Sequence, residues 1–276
     1  MEGQDGAIWN GLLFRFNHAG KCAVYDLDKM KNGKDAEICV FTLEKMDVIM
    51  PHSNAVFFGA EYFCETDEFP LLYTNVYNNY SKCEDRRLGV CCAYRIQRAG
   101  DSFKGELVQV IEIGFTDNQD LWCSADKNDV RPYGNFVADT DNGVYYAFNM
   151  RDGERVSKYF SFAMPKVADG TLDPALGVKK VVLAESDIID SFDCEYHRFV
   201  QGAIFHKGKI YSLEGFGHDK VNVPAIRIIN PKEKAQESFA LFENFESPTE
   251  PELIDFWNGE CFYADNPGNL YIIENI

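Results

Sequence analysis

Two stretches of this chain, separated by about two hundred residues, follow one pattern. The first runs from Gln4 to Phe14 and the second from Gln201 to Tyr211. Each begins with glutamine, continues through a short apolar run, passes a two-residue turn that ends in glycine and enters another apolar run. Such a repeat indicates a fold built from copies of one small unit, and it constrains the architecture more than composition does.

Five units of this kind can be marked, covering residues 6–43, 55–115, 136–185, 202–242 and 252–274. The pairs Asn10-Gly11, Lys207-Gly208 and Asn258-Gly259 separate the first two strands of their units and supply the positive φ values that tight hairpins need. The sequence therefore predicts an all-β fold, a single β-propeller of five blades with mostly four antiparallel strands each, and one domain over residues 1–276. We expect Lys179–Glu185 as the outer strand of the third blade and only three strands in the last.

Aromatic residues recur at matched positions of the two clearest units. When Gln4 is aligned with Gln201, Phe14 aligns with Tyr211 and Trp9 falls next to Phe205. Aromatic side chains favour the half-buried, pleated surfaces of sheets. We expect most of each of these four rings to be buried between neighbouring blades.

The charge balance limits the classes of partner. Lys and Arg total 27 against 44 Asp and Glu, which gives a net charge of −17. Affinity for nucleic acid rests on neutralising phosphates, and attraction to anionic membrane surfaces needs basic clusters. No apolar run approaches the roughly 20 residues of a membrane helix. We therefore expect no nucleic-acid partner, no membrane association and a monomer.

The cysteines and the first residues bear on the compartment. Nine cysteines are an odd number, show no C-x-x-C pair, and several lie in apolar strand runs where a free thiol acts as a small hydrophobe. Unpaired thiols suit a reducing compartment. Residues 1–10 lack the basic and apolar regions of a signal peptide. The expectation is a cytoplasmic protein; the alternative is an exported one whose signal has been trimmed from this chain.

Three short motifs carry a resemblance to known propellers. They are His52-Ser53-Asn54, Gln201-Gly202-Ala203 and Glu250-Pro251-Glu252, the last preceding a closing segment with Asn258-Gly259. With these motifs the chain resembles the NHL, YWTD and gluconolactonase-like group, and it is most similar to propeller proteins of gut bacteria. The resemblance implies the propeller fold and a family without an assigned reaction. Propellers of this kind are often exported.

Polar residues stand directly before the predicted inner strands, which line the channel of a propeller. Because these strands all start at one end of the channel, their first residues should meet at one mouth, where loops on a rigid scaffold concentrate function. The candidate ligand-binding residues are His52, Asn54, Asn135, Gln201, Glu250 and Glu252. The alternative interpretation is a hydrated channel whose polar groups are bridged by water.

These residues favour a binding or scaffold propeller that takes a small polar ligand or a peptide at the channel mouth. A metal-dependent, lactonase-like hydrolase is the first alternative, with a divalent cation held by Glu250 or Glu252 together with Asn54 and Asn135. The chain lacks the Glu-Gly-Pro opening strand of the lactonases, and no catalytic residue can be assigned. A structural or interaction module that assembles through the edge of the incomplete last blade is the third possibility.

Overall fold

The computed structural model describes residues 3–46, 48–49, 53–76, 89–116, 118, 121, 130–151, 154–197, 199–215, 223–241, 250–273 and 276. For residues 130–134 and 239–241 it describes the backbone alone. The described chain forms five sheets of mostly antiparallel strands and very little helix. These sheets are the five blades of a β-propeller, as the sequence predicts.

Blades 1 and 2 follow the predicted order of strands. Blade 1 contains β1 (Gly6–Trp9), β2 (Leu12–Phe16), β3 (Lys21–Asp26) and β4 (Glu37–Thr42). A short helix, α1 (Leu27–Lys31), follows β3 and is capped by the Asp26 side chain. Blade 2 contains β5 (Val56–Phe58), β6 (Leu72–Val76), β7 (Val90–Ala99) and β8 (Ser102–Ile113).

Blades 3 to 5 complete the ring. The next strands along the chain are β9 (Val130–Asp139), β10 (Val144–Arg151), β11 (Val156–Ala163), β12 (Thr171–Asp173), β13 (Val178–Leu183) and β14 (Asp190–Glu195), with a 3-10 turn at Glu185–Asp187. Blade 3 uses β9, β10, β11 and β14. Blade 4 contains β15 (Val200–His206), β16 (Lys209–Glu214), β17 (Ala225–Asn230) and β18 (Ala235–Leu241). Blade 5 has three strands, β19 (Pro251–Trp257), β20 (Glu260–Asp265) and β21 (Leu270–Ile273).

The predicted outer strand of blade 3 is wrong. The segment expected there, Lys179–Glu185, lies mainly in β13, which pairs in parallel with β8 and extends blade 2 to six strands together with β12. The long strand β8 offers a free edge there, and Leu183 is buried against the aromatic core. Blade 3 is instead closed by β14, where the ring of Phe192 stacks on that of Tyr159 at 4.9 Å.

The inner strands β1, β5, β9, β15 and β19 contact one another in turn around the axis, and β19 returns to β1. Between blades the core is rich in aromatic rings. Phe14 is fully buried, with its ring centroid 5.2 Å from that of Phe58 and 5.4 Å from that of Phe69, so it joins blade 1 to blade 2. Tyr211 is buried as predicted, whereas Trp9 and Phe205 are only half-buried.

Two further expectations can be compared with the structure. The seven cysteines in the described residues, among them the buried Cys22, Cys91 and Cys92, form no disulfide, in agreement with the predicted free thiols. Cys83 and Cys123 lie outside the described residues. No helix in the described part of the chain is long and apolar enough to cross a membrane.

Truncation of Phe14 should measure how strongly blades 1 and 2 are joined. We expect Phe14→Ala to lower the free energy of unfolding by about 3–5 kcal/mol, because it removes a fully buried ring and leaves a cavity. Urea unfolding of the wild type and the variant gives this difference. The control is Tyr62→Ala, at a side chain that is 41% exposed, which should change stability by less than about 0.5 kcal/mol. Equal losses in the two variants would contradict this account of the blade contact.

Candidate functional site

The inner strands of blades 1, 4 and 5 start with matched polar residues. Counted back from the hairpin turns, Gln4, Gln201 and Glu252 occupy the same position in their blades. The strand register shifts at two of them, between Val200 and Gly202 and between Pro251 and Leu253. Such bulges redirect a side chain out of the regular alternation of a strand. We call the end of the channel where the inner strands start the polar end.

Glu252 joins the last blade to the first at the polar end. Its carboxylate oxygen Oε1 accepts hydrogen bonds from Gln4 Nε2 at 3.2 Å and from Asn266 Nδ2 at 3.3 Å. The other oxygen, Oε2, is buried and has no hydrogen-bond partner among the described residues. Burial raises the pKa of Glu252 well above its usual range, and the neighbouring charge of Glu250 raises it further. The charged form of this carboxyl group is therefore costly to bury unless a further donor reaches it.

Arg15 lies beside Glu252 in the interior of blade 1. Its Nη2 donates to the carbonyl oxygens of Gly3 and Asp265, whereas Nε and Nη1 are buried and find no partner in the residues that the structure describes. A Cβ atom on Gly3 would stand 2.2 Å from Arg15 Nε, so only glycine lets the chain pass over this guanidinium. Burial lowers the pKa of Arg15, and the charges of Glu252, Asp265 and Asp5 oppose that shift.

Asp5 links the polar end to blade 2. Its Oδ2 accepts from the backbone N–H of Val56 at 3.0 Å, and its own N–H donates to the carbonyl oxygen of Ser53 at 3.0 Å. Within the described part of the chain Oδ1 has no hydrogen-bond partner, although the carboxyl group is fully buried, and this burial raises the pKa of Asp5 well above its usual range. A Cβ on Gly202 would lie 3.4 Å from this oxygen and 2.8 Å from the carbonyl oxygen of Glu252. Blade 4 can approach this closely because it presents glycine.

Blades 2 and 3 contribute amide side chains. Asn75 accepts from the N–H of Ala55 at 3.1 Å and donates through Nδ2 to Asn135 Oδ1 at 3.3 Å, which joins the two blades. Asn54 is buried, and no described residue forms a hydrogen bond with its Oδ1. Gln201 donates through Nε2 to the carbonyl oxygen of Gly215 in its own blade at 3.4 Å.

Five of the six predicted site residues are described. Four of them lie at or beside the starts of inner strands, whereas Asn135 lies in the middle of β9. Glu250 and Glu252 are close enough for their charges to interact, whereas Asn135 accepts from Asn75 and Gln201 donates to Gly215. His52 lies outside the described residues. Sequence reasoning missed Arg15 and Asn75. The signal for Arg15 was a charged residue between two apolar positions of β2, on the opposite face of the strand from Phe14 and Phe16.

The polar end provides oxygen atoms of the kind that hard cations prefer, from two carboxyl groups and one amide, at Asp5, Glu252 and Asn54. Among the described residues, however, no three His, Cys, Asp or Glu side chains are grouped closely enough to hold a metal ion. The described residues therefore suit hydrogen bonding better than the tight coordination of a cation.

Comparison with known proteins adds a fold likeness and no family. No family model matches the chain, and no curated protein matches it. The predicted relation to the NHL, YWTD and gluconolactonase-like group, and to propellers of gut bacteria, thus stays a prediction.

Three solved structures illustrate the likeness. Glutaminyl cyclase of Myxococcus xanthus has a TM-score of 0.47 and 10% identity, with 99% of this chain and 92% of that chain covered. Hydrazine synthase of Kuenenia stuttgartiensis has a TM-score of 0.41 and 10% identity, over 94% of this chain and 60% of that one. Sqt1 of Saccharomyces cerevisiae has a TM-score of 0.37 and 7% identity, over 96% and 56%. The chain thus spans little more than half the length of the last two, and these likenesses assign no activity to it.

Buried carboxyl groups should make the protein less stable as the pH rises. Burial raises the pKa of Asp255, in β19, to about 7, against about 3.9 in an unfolded chain. The native state then binds more protons than the unfolded state between these values, so stability falls as the pH rises through this window. For Asp255 alone the expected loss between about pH 5 and pH 8 is about 2–3 kcal/mol.

Urea unfolding at the two pH values tests this, with Asp255→Asn as the comparison. The variant lacks the titrating group, so its stability should fall less steeply with pH than that of the wild type, whatever its absolute stability. Identical slopes for the two proteins would show that Asp255 does not retain its proton in the folded state.

Proposed function

We propose that this protein is a binding propeller whose polar end takes one small polar ligand. The observation that carries the proposal is a set of buried polar atoms that have no hydrogen-bond partner among the described residues, contributed by blades 1, 2 and 5. They are Asp5 Oδ1, Arg15 Nε and Nη1, Asn54 Oδ1 and Glu252 Oε2.

The energetics favour a bound molecule at these atoms. A buried donor or acceptor left without a partner costs about 1–3 kcal/mol, and native proteins satisfy nearly all such groups with protein, water or ligand. Three free acceptors beside a guanidinium with two free N–H groups complement a ligand that carries both donors and an acceptor. A small saccharide or an amino acid has this chemistry, because hydroxyl or ammonium groups donate and a carbonyl or carboxylate accepts.

A metal-dependent hydrolase is the second candidate. The free oxygens of Asp5, Asn54 and Glu252 come from three blades, which is how a propeller would surround a divalent cation and leave a position open for substrate. The elemental content of the purified protein separates this candidate from the first. A divalent metal at one atom per chain would favour the hydrolase.

An interaction module is the third candidate, and the free edge of blade 5 supports it. The strand β21 pairs with β20 on one side, and no described strand pairs with it on the other. Ile272 on this strand is 42% exposed. Edge strands of this kind can accept a further strand from a partner.

Glu252→Gln is the sharpest variant for the binding proposal. Its amide oxygen can keep the bonds from Gln4 and Asn266, while its NH₂ group puts a donor where the free acceptor Oε2 stands. We expect Tm to change by less than about 2 °C and affinity for the ligand to fall at least about tenfold. Adding Asn54→Ala should abolish binding.

Panels of saccharides and amino acids, screened by thermal shift, supply the probes, since a ligand that binds only the native state raises Tm. Glu233→Gln is the matched control, because it makes the same substitution at an exposed glutamate between β17 and β18 of blade 4. It should bind the ligand as the wild type does. If no member of either panel raises Tm, or if the double variant binds as well as the control, the proposal fails.

A further inference from the structure

Aromatic residues gather at the opposite end of the same inner strands. Trp9, Phe58 and Trp257 are the last residues of β1, β5 and β19, while Phe205 and Phe256 are next to last in β15 and β19. Together they line a hollow of about 220 Å³, with Ile8, Ile204 and Asp255 completing the lining. We call it the aromatic hollow. It draws on four of the five blades and is separate from the polar end.

The rings are held by one another and keep part of their surface open. The ring centroids of Trp9 and Phe58 are 5.6 Å apart with the planes inclined by 46°. Phe256 is fixed by the imidazole of His206, stacked at 4.0 Å, and by the ring of Tyr211 at 4.7 Å. All five aromatic residues of the lining are half-buried, so none is fully absorbed into the core. The hollow therefore has an aromatic lining that is held in place and partly exposed.

The single charged residue among those lining the hollow is an acid. Asp255 is 8% exposed; its Oδ2 accepts from the N–H of Ile8 at 2.6 Å and its Oδ1 from the N–H of Phe256 at 2.7 Å. These bonds hold the carboxyl group against the wall, and a carboxylate has further lone pairs beyond the two they use. Burial raises its pKa to about 7, so the group carries its negative charge in mildly alkaline solution.

We propose that the aromatic hollow is a binding site for a small organic cation, of the quaternary or methylated ammonium class. Such cations bind over the negative faces of Trp and Phe rings, and the attraction grows when water is excluded. The carboxylate of Asp255 supplies the opposite charge, and none of the described residues that line the hollow is a Lys or Arg, which would repel the cation. The volume is below that of drug-sized pockets and matches the head group of a ligand rather than a large molecule.

The competing explanation is an apolar hollow that binds any nonpolar group of suitable size. Burial of apolar surface would then supply the affinity, and charge would not matter. A cation and its uncharged carbon isostere separate the two, because they bury nearly the same surface and differ in charge alone.

The test compares choline with 3,3-dimethylbutan-1-ol, titrated at about pH 8 and followed by the indole N–H signals in NMR and by calorimetry. Trp9 and Trp257 are two of the three tryptophans of the chain, so binding in the hollow should shift their signals. We expect choline to bind at one site per chain and at least about tenfold more tightly than the isostere. Trp257→Leu should reduce choline affinity at least about tenfold, because it keeps an apolar wall and removes a π face.

Tyr62→Leu, at an exposed aromatic residue outside the hollow, is the matched control and should leave choline binding unchanged. If Trp257→Leu fails to fold, as judged by its Tm and circular dichroism, Phe58→Leu replaces it with the same expectation. Equal affinity for choline and the isostere would overturn the proposal. So would choline binding that survives the loss of the ring, or no saturable choline binding up to about 50 mM.

Discussion

The contact between the first and last blades is the constraint on which the rest of this structure depends. A propeller must join strands from the two ends of the sequence, and here the bonds span almost the whole chain. The N–H of Ile8 donates to Asp255 at 2.6 Å, Gly3 donates to the carbonyl oxygen of Asn266 at 3.0 Å, and Gln4 donates to Glu252. Closing so long a loop costs conformational entropy, but this cost grows only slowly with loop length. A few well-formed hydrogen bonds and the apolar contacts around Leu253 and Phe262 can therefore hold the first and last blades together.

This closure also creates the chemistry of both ends of the channel. Burying acidic side chains between blades 1 and 5 is unfavourable for their charged forms, so the pKa values of these carboxyl groups rise. Backbone N–H donors and one guanidinium offset part of this cost. Glu252 and Asp5 remain incompletely bonded at the start of the inner strands, and Asp255 faces a ring of aromatic residues near their end. Because the blades repeat one pattern, residues at equivalent positions of the inner strands lie at the same level along the channel. A polar end and an aromatic end are the result.

Much of the fold could be predicted from the sequence, because blade units leave local signals. The glycine turns located the inner hairpins, and the match of Gln4 with Gln201 identified equivalent strands. The outer strand of blade 3 could not be located in this way, since β13 finds its partner across a blade boundary and apolar alternation does not say which edge it will join. The site was predicted only in outline for the same reason. That Glu252 meets Gln4, or that Arg15 lies among three acids, follows from ring closure rather than from any local pattern.

The central claim is that the polar end binds a small polar ligand. A high-resolution crystal structure of the protein as purified tests this claim most directly. The account predicts density for a small molecule other than water that is hydrogen-bonded to Asp5 Oδ1, Asn54 Oδ1 and Glu252 Oε2, with an acceptor facing Arg15. Water alone at these atoms, both in crystals as grown and after soaking with the saccharide and amino-acid panels, would contradict it and make the polar end a hydrated structural plug.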